Sequence, residues 1–66
     1  MKNRMKEIRT EKNINQTDMA ERCGVSRQTI HAIEVDKYTP SVALALKIAS
    51  ILETTVEDIF ILEDNK

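Results

Sequence analysis

Residue types that usually build a binding site or a rigid framework are scarce in this 66-residue chain: two aromatics (Tyr38 and Phe60), one cysteine (Cys23), one histidine (His31), one glycine (Gly24) and one proline (Pro40). So few aromatics leave no stacking platform for single-stranded nucleic acid and few of the anchors common at protein interfaces. A lone cysteine and a lone histidine exclude a disulfide framework and a metal site assembled within one chain, and fit a reducing compartment. Single glycine and proline residues exclude collagenous and loop-rich classes. No run approaches the ~18 apolar residues of a membrane span, and the basic stretch Met1 to Ile8 lacks the apolar segment of a secretion signal. The expectation is a soluble, cytoplasmic, single-domain protein over residues 1–66, with no cofactor, metal or membrane partner. A domain this small buries only roughly 60% of its unfolded surface, which leaves no room for a conventional enzyme cleft. Adjacent Glu57 and Asp58 diverge by about 100° on a helix, so they make no catalytic carboxylate pair.

What is present is helical punctuation. Hydrophobic residues make up 41% and charged residues 32% of the chain, a globular profile with short, regularly spaced caps. From Asn3 to Lys12 only Met5 and Ile8 are apolar, the narrow stripe of a surface helix that Asn13 can end in a left-handed conformation. Asn15, with Asp18 three residues on, caps a second helix whose Met19, Ala20 and Cys23 face inward, and Gly24 stops it. Ser26 caps a third helix running to about Glu34, with Ile30 and Ile33 inward and Gln28, His31 and Ala32 outward, flanked by Arg27 and Thr29. No carboxylate lies between Gly24 and Ile33, which is unusual in a chain one-third charged. That face is kept clear for a partner. Glu34, next to the inward arc, is expected to pair with Arg9 or a backbone amide. Val35 to Pro40 reads as a loop. Pro40 is placed at the start of a fourth helix capped by Ser41 or Thr39, and Thr55 with Asp58 caps a short fifth helix. The segment past Phe60 is long enough for a short strand that pairs with the N-terminal residues.

Ala20, Gly24, Val25, Ile30 and Ile33 have the spacing of a helix-turn-helix over residues 16–34. The string Gln16, Met19, Ala20, Gly24, Val25, Ser26, Ile30, Ile33, Glu34, followed by Pro40, Ser41, Ile48, Ala49 and Leu52, closely resembles the Xre/Cro-type family, relatives of the lambda and 434 repressors. The resemblance spans about residues 3–60. It implies an all-α, compact five-helix DNA-binding domain, with the helix from Ser26 to Glu34 in the major groove and that from Gln16 to Cys23 crossing the backbone. Base contacts then fall to Arg27, Gln28, His31 and Ala32: arginine to guanine, glutamine to adenine, alanine to a thymine methyl. Phosphate contacts fall to Gln16, Thr17, Thr29, Lys37, Tyr38 and Thr39. Many family members carry a glycine where this chain has Asp36, a residue that also tolerates left-handed geometry.

The net charge of −1 argues against a nucleic-acid partner only until it is split by position. Residues 1–40 hold eight basic and six acidic side chains, whereas residues 41–66 hold two and five. The basic half carries the motif, so the charge distribution would orient the chain on DNA. In the other half, 14 of the 21 residues from Val42 to Leu62 are apolar, more than a chain this short can bury alone. Leu44, Leu46, Ile51, Ile61 and Leu62 are the surplus and point to a homodimer that binds a near-palindromic operator as a repressor. The rival expectation is an antitoxin-like interaction module whose apolar half grips a protein partner.

Overall fold

The computed structural model describes residues 2–62. In chain order they form β1 (Lys2–Asn3), α1 (Met5–Glu11), α2 (Gln16–Cys23), α3 (Arg27–Glu34), α4 (Val42–Ile51), α5 (Val56–Ile59) and β2 (Phe60–Ile61). Four helices start on the same local device, a short polar side chain accepting the backbone N–H three residues ahead. Asn15 Oδ1 takes Asp18 N–H at 2.7 Å, Ser26 Oγ takes Thr29 at 3.1 Å, Ser41 Oγ takes Leu44 at 3.1 Å and Thr55 Oγ1 takes Asp58 at 3.2 Å. Ser41 rather than Thr39 is the fourth cap, which leaves Pro40 just before the cap, two residues ahead of Val42, instead of in the first turn of α4. Helix α1 starts two residues later than its polar pattern suggests, because Asn3 belongs to β1 and its Oδ1 accepts Met5 N–H from there at 3.0 Å.

The helix ends share a device as well. Asn13, Gly24, Asp36 and Glu53 follow α1 to α4 with φ of 60°, 74°, 62° and 57°. In each case the next residue's N–H reaches back to the carbonyl five positions earlier: Ile14 to Arg9, Val25 to Ala20, Lys37 to Ala32 and Thr54 to Ala49. These are Schellman closures, which satisfy carbonyls that the last helical turn leaves bare. Only one of the four uses glycine. The left-handed conformations of Asn13 and Asp36 agree with the residue types there, whereas nothing about Glu53 announces one.

Met5, Met19, Ile30, Ile33, Ile48, Leu52 and Ile59 are fully buried and meet Ile8, Ile14, Ala20, Cys23 and Ala49 in one core. Ala20 lets α2 and α3 approach closely. Burial raises the Cys23 thiol above its ordinary pKa, with the nearby positive charge of Lys47 opposing, so it stays a small apolar side chain. β1 and β2 form an antiparallel pair, Lys2 opposite Ile61 and Asn3 opposite Phe60, extended by Arg4 N–H donating to the Ile59 carbonyl at 2.8 Å. The strand therefore sits at Phe60 itself; residues 63–66, where a tail was expected, lie outside the described residues. Among the described residues no helix is long and apolar enough to cross a membrane.

One charged pair lies inside this core. Arg9 Nε donates to Glu34 Oε2 at 2.7 Å, with the two side chains 9% and 2% exposed. Arg9 Nη2 reaches Glu34 Oε1 at 3.3 Å and Nη1 donates to the Ile14 carbonyl at 2.7 Å. The pair expected between Arg9 and Glu34 is thus bidentate, and it ties α1 to the end of α3 and to the loop entering α2.

Two stability measurements follow from these features. Glu34→Ala strands a buried guanidinium and should cost about 3 to 5 kcal/mol in denaturant unfolding, while Arg9→Met with Glu34→Leu recovers most of that loss. Gly24→Ala places a methyl group where no atom lies within 4 Å, so only the left-handed strain of about 1 to 2 kcal/mol should appear, and Gly24→Asn should lose less.

Candidate nucleic-acid interface

The turn Gly24–Val25–Ser26 sets α3 across α2, with Ile30 and Ile33 pinned in the core. The opposite side of α3 is therefore forced outward. Arg27, Gln28 and His31 are exposed there and together line a shallow depression. Ala32 and Thr29 are half-buried. Thr29 Oγ1 lies 2.9 Å from Ser26 Oγ, so its hydroxyl belongs to the first-turn network of α3. Thr17 is exposed on the first turn of α2, and Lys37, Tyr38 and Thr39 are exposed on the loop leaving α3. Tyr38 also borders a second depression, with Val25, Ser41 and Lys47. Lys47, the single charge of α4, thereby joins the loop side of the site, which its place in an apolar helix gives no reason to expect.

Gln16 stands where these parts join. It is half-buried, and its Nε2 donates to Glu34 Oε1 at 2.9 Å and lies 3.4 Å from His31 Nδ1. Its Oε1 faces Arg27 Nη1 at 3.5 Å. The buried ion pair therefore continues through one amide to two side chains of the exposed face. This linkage depends on three elements converging, and no local pattern announces it. Asp36, beside the phosphate-side loop, has its Oδ1 held by Asn3 Nδ2 at 2.7 Å. The same Nδ2 donates to the Ile33 carbonyl at 2.9 Å, so β1 grips the end of α3.

The five surplus apolar residues do not form one patch. Leu46, 57% exposed, lines a groove between α4 and α5 with Val42, 76% exposed, and with Ala45, Ala49 and Val56. Leu44 and Ile51 are half-buried against the core, and Leu44 faces the Tyr38 depression instead. Ile61 and Leu62 are exposed at β2 and just beyond it. Val42 belongs with Leu46 by its four-residue spacing on α4.

The helix-turn-helix family profile matches residues 5–59. An uncharacterized HTH-type transcriptional regulator of Methanocaldococcus jannaschii is 53% identical over 66 residues, covering 100% of both chains. One of Bacillus subtilis is 45% identical over 64 residues, covering 97% of each. Among solved structures, the restriction-modification controller protein C.AhdI from Aeromonas hydrophila superposes with a TM-score of 0.79 at 28% identity, over 86% of each chain. A chain of the SinR protein/SinI protein complex gives 0.75 at 29% identity, over 82% of this chain and 53% of that one. With the two crossed helices, the glycine turn and the exposed face of α3, these similarities make the chain a member of the Xre/Cro-type helix-turn-helix family of DNA-binding transcriptional regulators.

Proposed function

We propose that the chain is a single-domain, cytoplasmic repressor that binds a near-palindromic operator as a homodimer and blocks transcription by occupancy, with no catalytic step and no cofactor. The observation that carries this reading is the exposed face of α3, where Arg27, Gln28 and His31 stand together and the helix's own carboxylate, Glu34, is turned into the core. Such a face can enter a major groove without repelling phosphate. Gln28 pairs with an adenine edge and Arg27 with a guanine edge, and Ala32 meets a thymine methyl where the groove comes closest. Gln16 and Thr17 offer backbone N–H groups of the first turn of α2 to a phosphate, and Thr29, Lys37, Tyr38 and Thr39 contact the flanking backbone.

The groove bounded by Val42 and Leu46 supports the dimer, since two such faces buried against each other remove the largest exposed apolar side chains of α4. Leu46 is then the centre of the interface; Leu44 and Ile51 pack toward the core, and Ile61 and Leu62 are exposed away from this groove, at β2 and just beyond it. A two-fold axis there sets the two α3 helices roughly 34 Å apart, one turn of DNA. A second reading, an interaction module for a protein partner, is favoured by one observation: the SinR protein, to which this fold is similar, was solved together with the SinI protein.

Random-site selection should return an inverted repeat. Gln28→Ala should flatten base preference by about 1 to 3 kcal/mol at its position in each half-site, whereas Lys37→Ala should weaken all sites alike and lower the salt slope by about 1. Binding without sequence preference at physiological salt would overturn the proposal in favour of the protein-partner reading. Leu46→Glu should convert a dimer in sedimentation to the 7.6 kDa chain and reduce binding to single half-sites; a wild type that is already monomeric at micromolar concentration contradicts the dimer.

A further inference from the structure

We infer that Glu34, acting through Gln16, fixes the tautomer of His31 so that its outward nitrogen is a hydrogen-bond donor, and that His31 consequently reads guanine. The first half stands on the free protein; the second rests on the DNA-binding reading above.

The chain of constraints starts in the core. Glu34 carries a carboxylate clamped by two nitrogens of Arg9, and a carboxylate in that setting only accepts hydrogen bonds. The Gln16 atom 2.9 Å from its Oε1 must therefore be the amide nitrogen. The oxygen and nitrogen of a glutamine are otherwise interchangeable in outline, and here a second charged group decides the same way: the other end of the amide faces the guanidinium of Arg27, which only donates, at 3.5 Å. A carboxylate on one side and a guanidinium on the other leave a single orientation.

The amide nitrogen has two hydrogens. One is used by Glu34, and the nitrogen lies 3.4 Å from His31 Nδ1. An imidazole nitrogen met by an N–H must present its lone pair, which puts the ring proton of neutral His31 on Nε2. His31 is exposed in the depression it shares with Arg27 and Gln28, and Nε2 is the ring nitrogen left for a partner.

Base chemistry then follows from the polarity of that nitrogen. Guanine offers two adjacent acceptors in the major groove, N7 and O6; adenine N7 stands beside an amino donor, thymine offers O4 alone, and cytosine offers an amino donor that would meet Nε2–H donor to donor. The opposite tautomer would present a lone pair instead and favour the amino groups of adenine and cytosine. Glu34 and Gln16 are thus positioning residues: neither needs to touch a base in order to select one.

The test has two arms. In the free protein, nitrogen-15 spectra of the imidazole at pH 8 should show the Nε2–H form, and Gln16→Ala should shift the population toward a mixture while the amide spectrum shows the fold retained. Glu34→Gln should do the same where it folds; Gln16→Ala, on a half-buried side chain, keeps the test available where it does not. A dominant Nδ1–H form, or a tautomer ratio unmoved by Gln16→Ala, overturns the linkage. On DNA, the position whose preference His31→Ala erases should be a G·C pair, Gln16→Ala should relax it too, and 7-deazaguanine there should weaken wild-type binding roughly three- to tenfold, one hydrogen bond's worth. Another base pair at that position, or full binding to 7-deazaguanine, overturns the base assignment. A wild type with no sequence preference at all removes the DNA-binding reading and the base assignment together, while the spectra of the free protein still decide the linkage.

Discussion

Arg9 and Glu34 have their side chains almost wholly removed from water, and the polar atoms they carry there have to be answered by the fold. The guanidinium takes the two carboxylate oxygens and the Ile14 carbonyl; the carboxylate takes Gln16 in addition. Burying such a pair adds little net stability, because desolvation offsets most of the attraction, but a misplaced partner is expensive. The consequence is geometric. The helices α1, α2 and α3 have one relative arrangement in which this set closes, and that arrangement sets the angle at which α3 is shown to solvent. A purely apolar core of Met5, Met19, Ile30 and Ile33 would tolerate small slips that a hydrogen-bonded ion pair does not.

The two halves of the chain divide the labour of recognition. The motif half is mildly basic, and its polar face is presented by a rigid ion-pair scaffold. The other half is acidic and apolar, and supplies an exposed groove on α4 and α5. With so small a positive excess, sequence-independent attraction to phosphate is weak. On the proposed reading, discrimination rests on contacts at base edges and on the spacing of two copies, both of which require that α3 be held firmly rather than floated on charge.

Much of this architecture is legible in the residue order because it is local. An acceptor at Asn15, Ser26, Ser41 or Thr55 meets an N–H three residues away whatever the rest of the chain does. Asn13 and Asp36 are side chains that accept a left-handed backbone, so those helix ends could be read too. Glu53 could not, since a glutamate has no such preference and is held by the Schellman closure of α4. Pro40 misleads by two residues because Ser41 is the cap and α4 starts at Val42. The apolar surplus was visible as a total but not as a surface: Leu44 and Leu46 are two residues apart, roughly 200° around α4, and face different neighbours. The Gln16 amide is silent in the sequence for the same reason, since its partners are Glu34, His31 and Arg27 on another helix.

The clasp made by Asn3 bears on how the chain comes into being. Asn3 stands opposite Phe60 in the strand pair and holds the Ile33 carbonyl and Asp36 at the end of α3. During synthesis, residues 27–36 leave the ribosome well before residues 59–61 do. The packing of α2 on α3 is local and can form early, but β1, whose Asn3 holds the far end of α3, gains its own partner only when a strand translated some 25 residues later arrives, closing the longest loop among the described residues. A nascent chain therefore carries α3 before the strand pair that braces its far end has formed.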